Sequence, residues 1–286
     1  MQFTIFTPTY NRKDYLKILY NSLLEQSFKD FEWLIVDDGS SDDTDTEVQN
    51  FINEDKLKIT YYKQKNGGKH RAINKGLDLA KGEYFFIVDS DDFLPINSLE
   101  MVNSKIDLIN NKKTVGVIGL RQTLDGKLLG AKFPESDMLL NHIVRSYHLK
   151  LKGDYAEVIK TEILKKFKFP DFEGEKFCAE GLIWNRIANA GFNFLCFNEV
   201  IYHGEYLDAG LTANSIKNRH KNNQYSSLLY QELSSSKYLN INQKIRANIN
   251  YWRFVVFTNA KIDSLLKIIV FPYGLMMKFF DKIKIK

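Results

Sequence analysis

A chain of 286 residues, 44% hydrophobic and 26% charged, is long enough for one large α/β domain plus an appendage and too apolar to be disordered. Its two cysteines, Cys178 and Cys196, form no C-x-x-C pair. That excludes a disulfide scaffold and a thiolate zinc site, and it fits a reducing cytoplasm. The formal charge of +5 is uneven: Lys237 to Lys286 holds ten Lys/Arg against two Asp/Glu, leaving thirty against thirty-three elsewhere. A basic tail on a mildly acidic body points to contact with an anionic surface.

The chain opens on Met1-Gln2-Phe3-Thr4-Ile5-Phe6, which reads as a strand and not as a signal peptide. Phe3 to Thr7 is the first strand. Asp14 to Gln26 has helical spacing, with Leu16, Leu19, Leu23 and Leu24 on one face. Strands follow at Phe31 to Val36, Leu57 to Lys63 and Tyr84 to Val88, with helices at Ser41 to Asn53 and Lys69 to Ala80 between them. Such alternation predicts a parallel sheet with crossover helices. Residues 98 to 112 read as a helix and Val115 to Arg121 as a strand, whereas Gly126 to Gly174 has a mixed pattern. Phe177 to Ala190 is predicted helical and Phe194 to Tyr202 extended; beyond about Asn214 the chain becomes helical and basic.

In parallel sheets ligands bind beyond the carboxyl ends of the strands. Three polar clusters fall there: Pro8 to Arg12, Asp37 to Ser41, and Asp89-Ser90-Asp91-Asp92. Crowded carboxylates repel one another unless a cation offsets them, and Mg²⁺ or Mn²⁺ joins carboxylates to phosphates. The plainer alternative for the last cluster is an acidic turn capping the next helix. Asp37-Asp38-Gly39-Ser40 suits a ribose or base contact, and equally suits a tight strand-to-helix turn. Gly67-Gly68-Lys69-His70-Arg71 offers backbone N–H groups, cations and a helix start to an anion, without being a Walker loop or a dinucleotide fingerprint.

Thr7-Pro8-Thr9-Tyr10-Asn11-Arg12, Val36-Asp37-Asp38-Gly39-Ser40 and Gly82-Glu83-Tyr84 leading to Asp89-Ser90-Asp91-Asp92 together resemble family 2 glycosyltransferases of the GT-A fold, most strongly over residues 1 to 100. The resemblance implies an inverting, nucleotide-sugar-dependent enzyme with a GT-A domain over residues 1 to 205 and a helical, basic region over 206 to 286. By that likeness Pro8, Tyr10, Asn11, Arg12, Asp37 and Asp38 line the nucleotide, and Lys69, Arg71 and Asn74 lie near the uridine or its phosphates. Asp89 and Ser90 would reach the donor, and Asp89, Asp91 and Asp92 the metal, with the choice between Asp91 and Asp92 open. His203 after the last strand completes the metal shell in this reading; the alternative is a structural histidine.

An inverting transfer needs a carboxylate to take the acceptor proton. By resemblance the base lies near Gly174 to Trp184. Glu180 is the candidate, Glu175 the substitute and Glu173 a weaker one; Trp184 is expected to stack on a sugar. Glu180 could instead be a first-turn helix carboxylate. Tyr206 to Thr212 is expected to form a lid. Ile268 to Met277 is too short to span a bilayer and, among its lysines, reads as an interfacial anchor. Packing on the catalytic domain, or on a second copy in a homo-oligomer, is the alternative. Expected partners are a UDP-sugar and a glycan or lipid-linked acceptor in surface polysaccharide synthesis at the cytoplasmic face of the cell membrane, with no nucleic acid. The rival functions are a sugar-nucleotide nucleotidyltransferase, disfavoured by the absence of a Gly-rich basic loop after the first strand, and a non-catalytic scaffold of the same fold.

Overall fold

A computed structural model describes residues 1–205 and 214–285. The expected lid at 206–212 lies outside the described residues. The first strands and helices alternate as the sequence implies: β1 (Phe3–Thr9), α1 (Lys13–Leu24), β2 (Phe31–Asp37), α2 (Thr44–Asn53), β3 (Ile59–Lys63), α3 (Lys69–Leu79) and β4 (Tyr84–Ile87). Then come α4 (Ser98–Ile106), β5 (Thr114–Gln122), β6 (Met138–Leu140), β7 (Tyr155–Lys160), α5 (Thr161–Leu164), α6 (Gly181–Asn189) and β8 (Asn193–His203). The chain ends in helices α7 (Ser215–Lys221), α8 (Asn223–Ser234), α9 (Ile241–Phe254) and α10 (Leu265–Ile285).

The eight strands form one sheet in the order β3-β2-β1-β4-β7-β5-β8-β6. β1, β2, β3 and β4 pair in parallel, as do β5 and β8, while β7 runs antiparallel between β4 and β5 and β6 lies antiparallel on the edge. Six strands therefore point the same way, and their carboxyl ends share one edge. β1 and β2 are buried at every position, as parallel strands covered on both faces must be. Side chains alternate between two cores: Phe3, Ile5, Trp33 and Ile35 pack with α1, α2 and α4, whereas Phe6, Leu34 and Val36 pack with α3 and α6.

The segment with a mixed pattern supplies β6, β7 and α5. The predicted helix from Phe177 begins only at Gly181. The reason is tertiary: the backbone N–H groups of Lys176 and Phe177 donate to Asn222 Oδ1 at 2.7 and 3.0 Å, holding this stretch out of the helix.

Candidate active site

The shared sheet edge gathers the acidic turn after β4, the start of α3 and the start of α6. Lys69, the first residue of α3, joins all three. Its Nζ lies 2.6 Å from Asp89 Oδ1 and 2.9 Å from Glu180 Oε1. The three side chains are 27%, 28% and 35% exposed, so a ligand can reach them. Gly68 makes the approach possible: its φ is +99°, and a Cβ there would sit 2.0 Å from the Lys176 carbonyl oxygen. The loop before α3 thus presses directly on the chain leading to Glu180.

Burial works against the Lys69 ammonium, but Asp89 and then Glu180 outweigh it and hold the group charged. Burial likewise opposes ionisation of Asp89, yet Lys69 and then Arg121 keep its carboxyl below the usual range. Asp92 behaves oppositely. Burial, and next the Asp89 charge, push it up to about 7, and the hydrogen bond from Tyr202 offsets this only in part. Tyr202 Oη donates to Asp92 Oδ2 at 2.6 Å and accepts from the Asp89 backbone N–H at 2.9 Å. The Arg121 guanidinium lies 3.9 Å from the centre of the Tyr202 ring. Neither Arg121 nor Tyr202 was singled out from sequence as a site residue. Both sit at carboxyl ends of parallel strands, β5 and β8, which is the signal that would have found them.

Asp91 faces Arg12, whose Nη1 is 3.5 Å away. Ser90 is buried beside them and Tyr10 is 48% exposed on the open side, while Pro8 is buried in β1. His203 stacks on Phe93 with ring centres 5.1 Å apart, and its buried Nδ1 has no hydrogen-bond partner among the described residues. Also among the described residues, no three His, Cys, Asp or Glu side chains stand ready to hold a metal ion. The hard oxygens of Asp89, Asp91 and Asp92 nevertheless fit Mg²⁺ or Mn²⁺ in chemistry, and the Arg121 charge only partly offsets the burial and the Asp89 charge that raise Asp92.

Several of the candidate ligand residues make internal contacts. Asp37 is fully buried and accepts from Tyr61 Oη and the Ser40 N–H. Asp38 accepts from Gln64, Asn66 and the N–H groups of Gly67 and Gly68, so it shapes the loop that aims Lys69. Asn11 exchanges hydrogen bonds with Ser40 and Ser41. Arg71 bonds Asp171 and the carbonyls of Gly67, Phe172 and Glu175; Asn74 bonds both backbone groups of Phe169. These two, expected near the uridine or its phosphates, tie α3 to residues 169–175.

Two further candidates lie buried. Trp184 is only 7% exposed and packs edge-on against Phe194, because the first turn of α6 faces the core. Glu175, the substitute base, is 5% exposed and accepts the N–H groups of Gln224 and Tyr225 at 2.8 and 3.0 Å, so it caps α8. Glu180 remains the carboxylate that faces the acidic turn.

The sequence model described as Glycosyl transferase family 2 matches residues 4–152. The chain belongs to glycosyltransferase family 2. Relatives include the poly(ribitol-phosphate) beta-N-acetylglucosaminyltransferase TarS of Staphylococcus aureus strain Mu50, 37% identical over 109 residues, which are 37% of this chain and 19% of TarS. Glycosyltransferase GlyG of Streptococcus pneumoniae serotype 4 is 33% identical over 169 residues, 58% of this chain and 55% of GlyG. The chain thus spans from about a fifth to about half of these relatives' length. Among solved structures, S. aureus TarS 1–349 in complex with UDP-GlcNAc superposes with a TM-score of 0.63 at 20% identity, over 96% of this chain and 80% of that one. A mannosyltransferase of Pyrobaculum calidifontis, in complex with GDP-Man and Mn²⁺, gives 0.58 at 17% identity, over 96% and 73%. These likenesses establish the GT-A fold. This family 2 glycosyltransferase therefore has the architecture expected from its order of strands and helices.

Proposed function

We propose that this glycosyltransferase moves a sugar from a nucleoside diphosphate sugar, UDP-linked, to a hydroxyl of a glycan or lipid-linked acceptor in surface polysaccharide synthesis. The observation that carries the reading is Lys69, bonded at once to Asp89 of the acidic turn and to Glu180 on the opposite side. Donor anchor and acceptor-side carboxylate are thereby within one lysine's reach.

The displacement follows from that arrangement. The acceptor oxygen bonds to the anomeric carbon, the bond from that carbon to the donor phosphate oxygen breaks, and Glu180 takes the acceptor proton. A divalent ion held by Asp89, Asp91 and Asp92, with His203 beside them, would offset charge on the departing diphosphate. Lys69 serves the same charge. In the donor-free protein its ammonium is shared by Asp89 and Glu180; an arriving diphosphate competes for it and leaves Glu180 free to act as base. Tyr10 offers a face to the nucleotide base, and Arg12 a cation beside Asp91. In this reading residues 1–205 carry the donor chemistry, and residues 206–286 brace the acceptor side and bring the enzyme to the cytoplasmic face of a membrane.

Incubation with a panel of UDP- and GDP-sugars and Mn²⁺ tests it. One donor is expected to be hydrolysed slowly without acceptor, and Asp91→Ala to abolish this. No hydrolysis and no donor-induced rise in melting temperature across the panel would sink the proposal; a ligand at a hundred times its Kd adds about 2.7 kcal/mol.

A further inference from the structure

Helix α10 carries a second surface. Its inner face is committed to α9. Val270 is buried there, and Gly274 sits so close to Trp252 that an added Cβ would come within 2.2 Å of its side chain. Trp252 Nε1 donates to the Lys267 carbonyl at 2.8 Å. Lys267 is fully buried, with Nζ donating to the Lys261 carbonyl and Asp263. Asp281 is clamped by Arg253, at 2.6 Å through both Nε and Nη2, and by His220 at 2.7 Å. The helix cannot roll without breaking these contacts.

Its outer face is nevertheless apolar. Ile268, Ile269, Tyr273, Met276, Phe279 and Phe280 are each 50% to 62% exposed. Their spacing of three and four residues draws one continuous stripe along the helix. No acidic residue interrupts the stripe, and Lys282 is exposed beside it. Over 21 residues the helix is roughly 30 Å long. No helix among the described residues is long and apolar enough to cross a membrane.

We infer that this stripe lies flat in the surface of an anionic lipid bilayer. Charge selects this occupant. The segment from Lys237 onward has ten Lys/Arg and only two Asp/Glu, so a second copy would bring the same excess against it. Anionic headgroups complement it instead, while a convex apolar stripe needs no matching groove in a fluid interface. The inference deepens the proposed function, since a surface-bound enzyme meets lipid-linked acceptors in the same plane, but it stands on the helix alone.

Vesicle flotation of the full chain, without donor, tests it. Phosphatidylglycerol-containing vesicles are expected to carry the protein upward, pure phosphatidylcholine ones far less, with binding weakened at about 0.5 M salt. The double variant Ile269→Glu with Phe280→Glu alters only exposed positions and is expected to lower binding by roughly tenfold or more, with an unchanged melting temperature. Absence of binding to anionic vesicles overturns the inference, as does equal binding by the double variant. A stable dimer, dispersed by that variant and indifferent to lipid, would make a second copy the occupant and also overturn it. None of these outcomes touches the donor-hydrolysis test.

Discussion

The two sides of the candidate site are built differently. The donor side comes from turns directly after β1, β2 and β4, each held by neighbours in the sheet. The acceptor side, residues 169–180, has almost no regular structure and is held by the C-terminal helices. Asn222, Glu175 and Tyr225 knit that stretch to the start of α8, and Arg186 pairs with Glu232 through two bonds of 2.8 and 2.7 Å. Tyr225 Oη reaches further, to His70 Nε2 at 2.8 Å in the helix that bears Lys69. The candidate donor side is thus built locally in sequence, while Glu180, the proposed base, is positioned from far along the chain.

The largest expected effect tests whether the two sides meet at Glu180. Glu180→Gln should lower kcat by roughly 10²- to 10⁴-fold, the usual worth of a general base. Donor-induced stabilisation should survive or increase, since Lys69 is released from one of its two partners. A variant that keeps wild-type turnover would remove Glu180 from the chemistry. A variant that loses donor binding instead would assign it to the donor side.

His70 gives a pH test of the same junction. Burial first, and then the Arg71 charge, pull its imidazole down to about 4. Among the described residues its buried Nδ1 has no partner, so a proton added there gains no acceptor from them. An unfolded histidine titrates near 6.5. The neutral folded form is therefore fully favoured above pH 6.5, and the advantage drains away as pH falls from 6.5 towards 4, by at most on the order of 3 kcal/mol. Denaturant melts across that range should show a steeper acid loss in the wild type than in His70→Gln. Parallel curves would contradict the buried, neutral assignment.

Lys69→Met should have a smaller effect, on both sides at once. Losing the cation leaves Asp89 and Glu180 facing each other, so donor affinity is expected to fall by roughly tenfold, about 1.4 kcal/mol. Turnover at saturating donor should fall less. Unchanged donor affinity, measured by calorimetry, would mean that the lysine only stitches the empty site together.

The same division explains what could be read from sequence. Strand and helix periods located β1 to β4 and their polar ends, because each acidic or glycine-rich turn directly follows an apolar run. Asp89 and Lys69 were legible for that reason. β7 was not: Tyr155 to Lys160 returns antiparallel between β4 and β5, and no local pattern announces its insertion. Arg71 and Asn74 have the chemistry of anion ligands, but their partners, Asp171 and Phe169, lie about a hundred residues away. Trp184 and Glu180 are one helical turn apart, yet one faces the core and the other the cleft.

Asn222 supplies the smallest and most discriminating test. Its Oδ1 accepts from both Lys176 and Phe177. Asn222→Ala leaves two part-buried N–H groups without that acceptor and should cost about 1–3 kcal/mol of stability. If long-range bracing sets the acceptor side, KM for acceptor should rise and kcat fall while donor affinity stays within about twofold. Equal losses for donor and acceptor would show one undivided site. No kinetic change, with stability alone reduced, would mean that residues 174–180 find their place without the C-terminal helices.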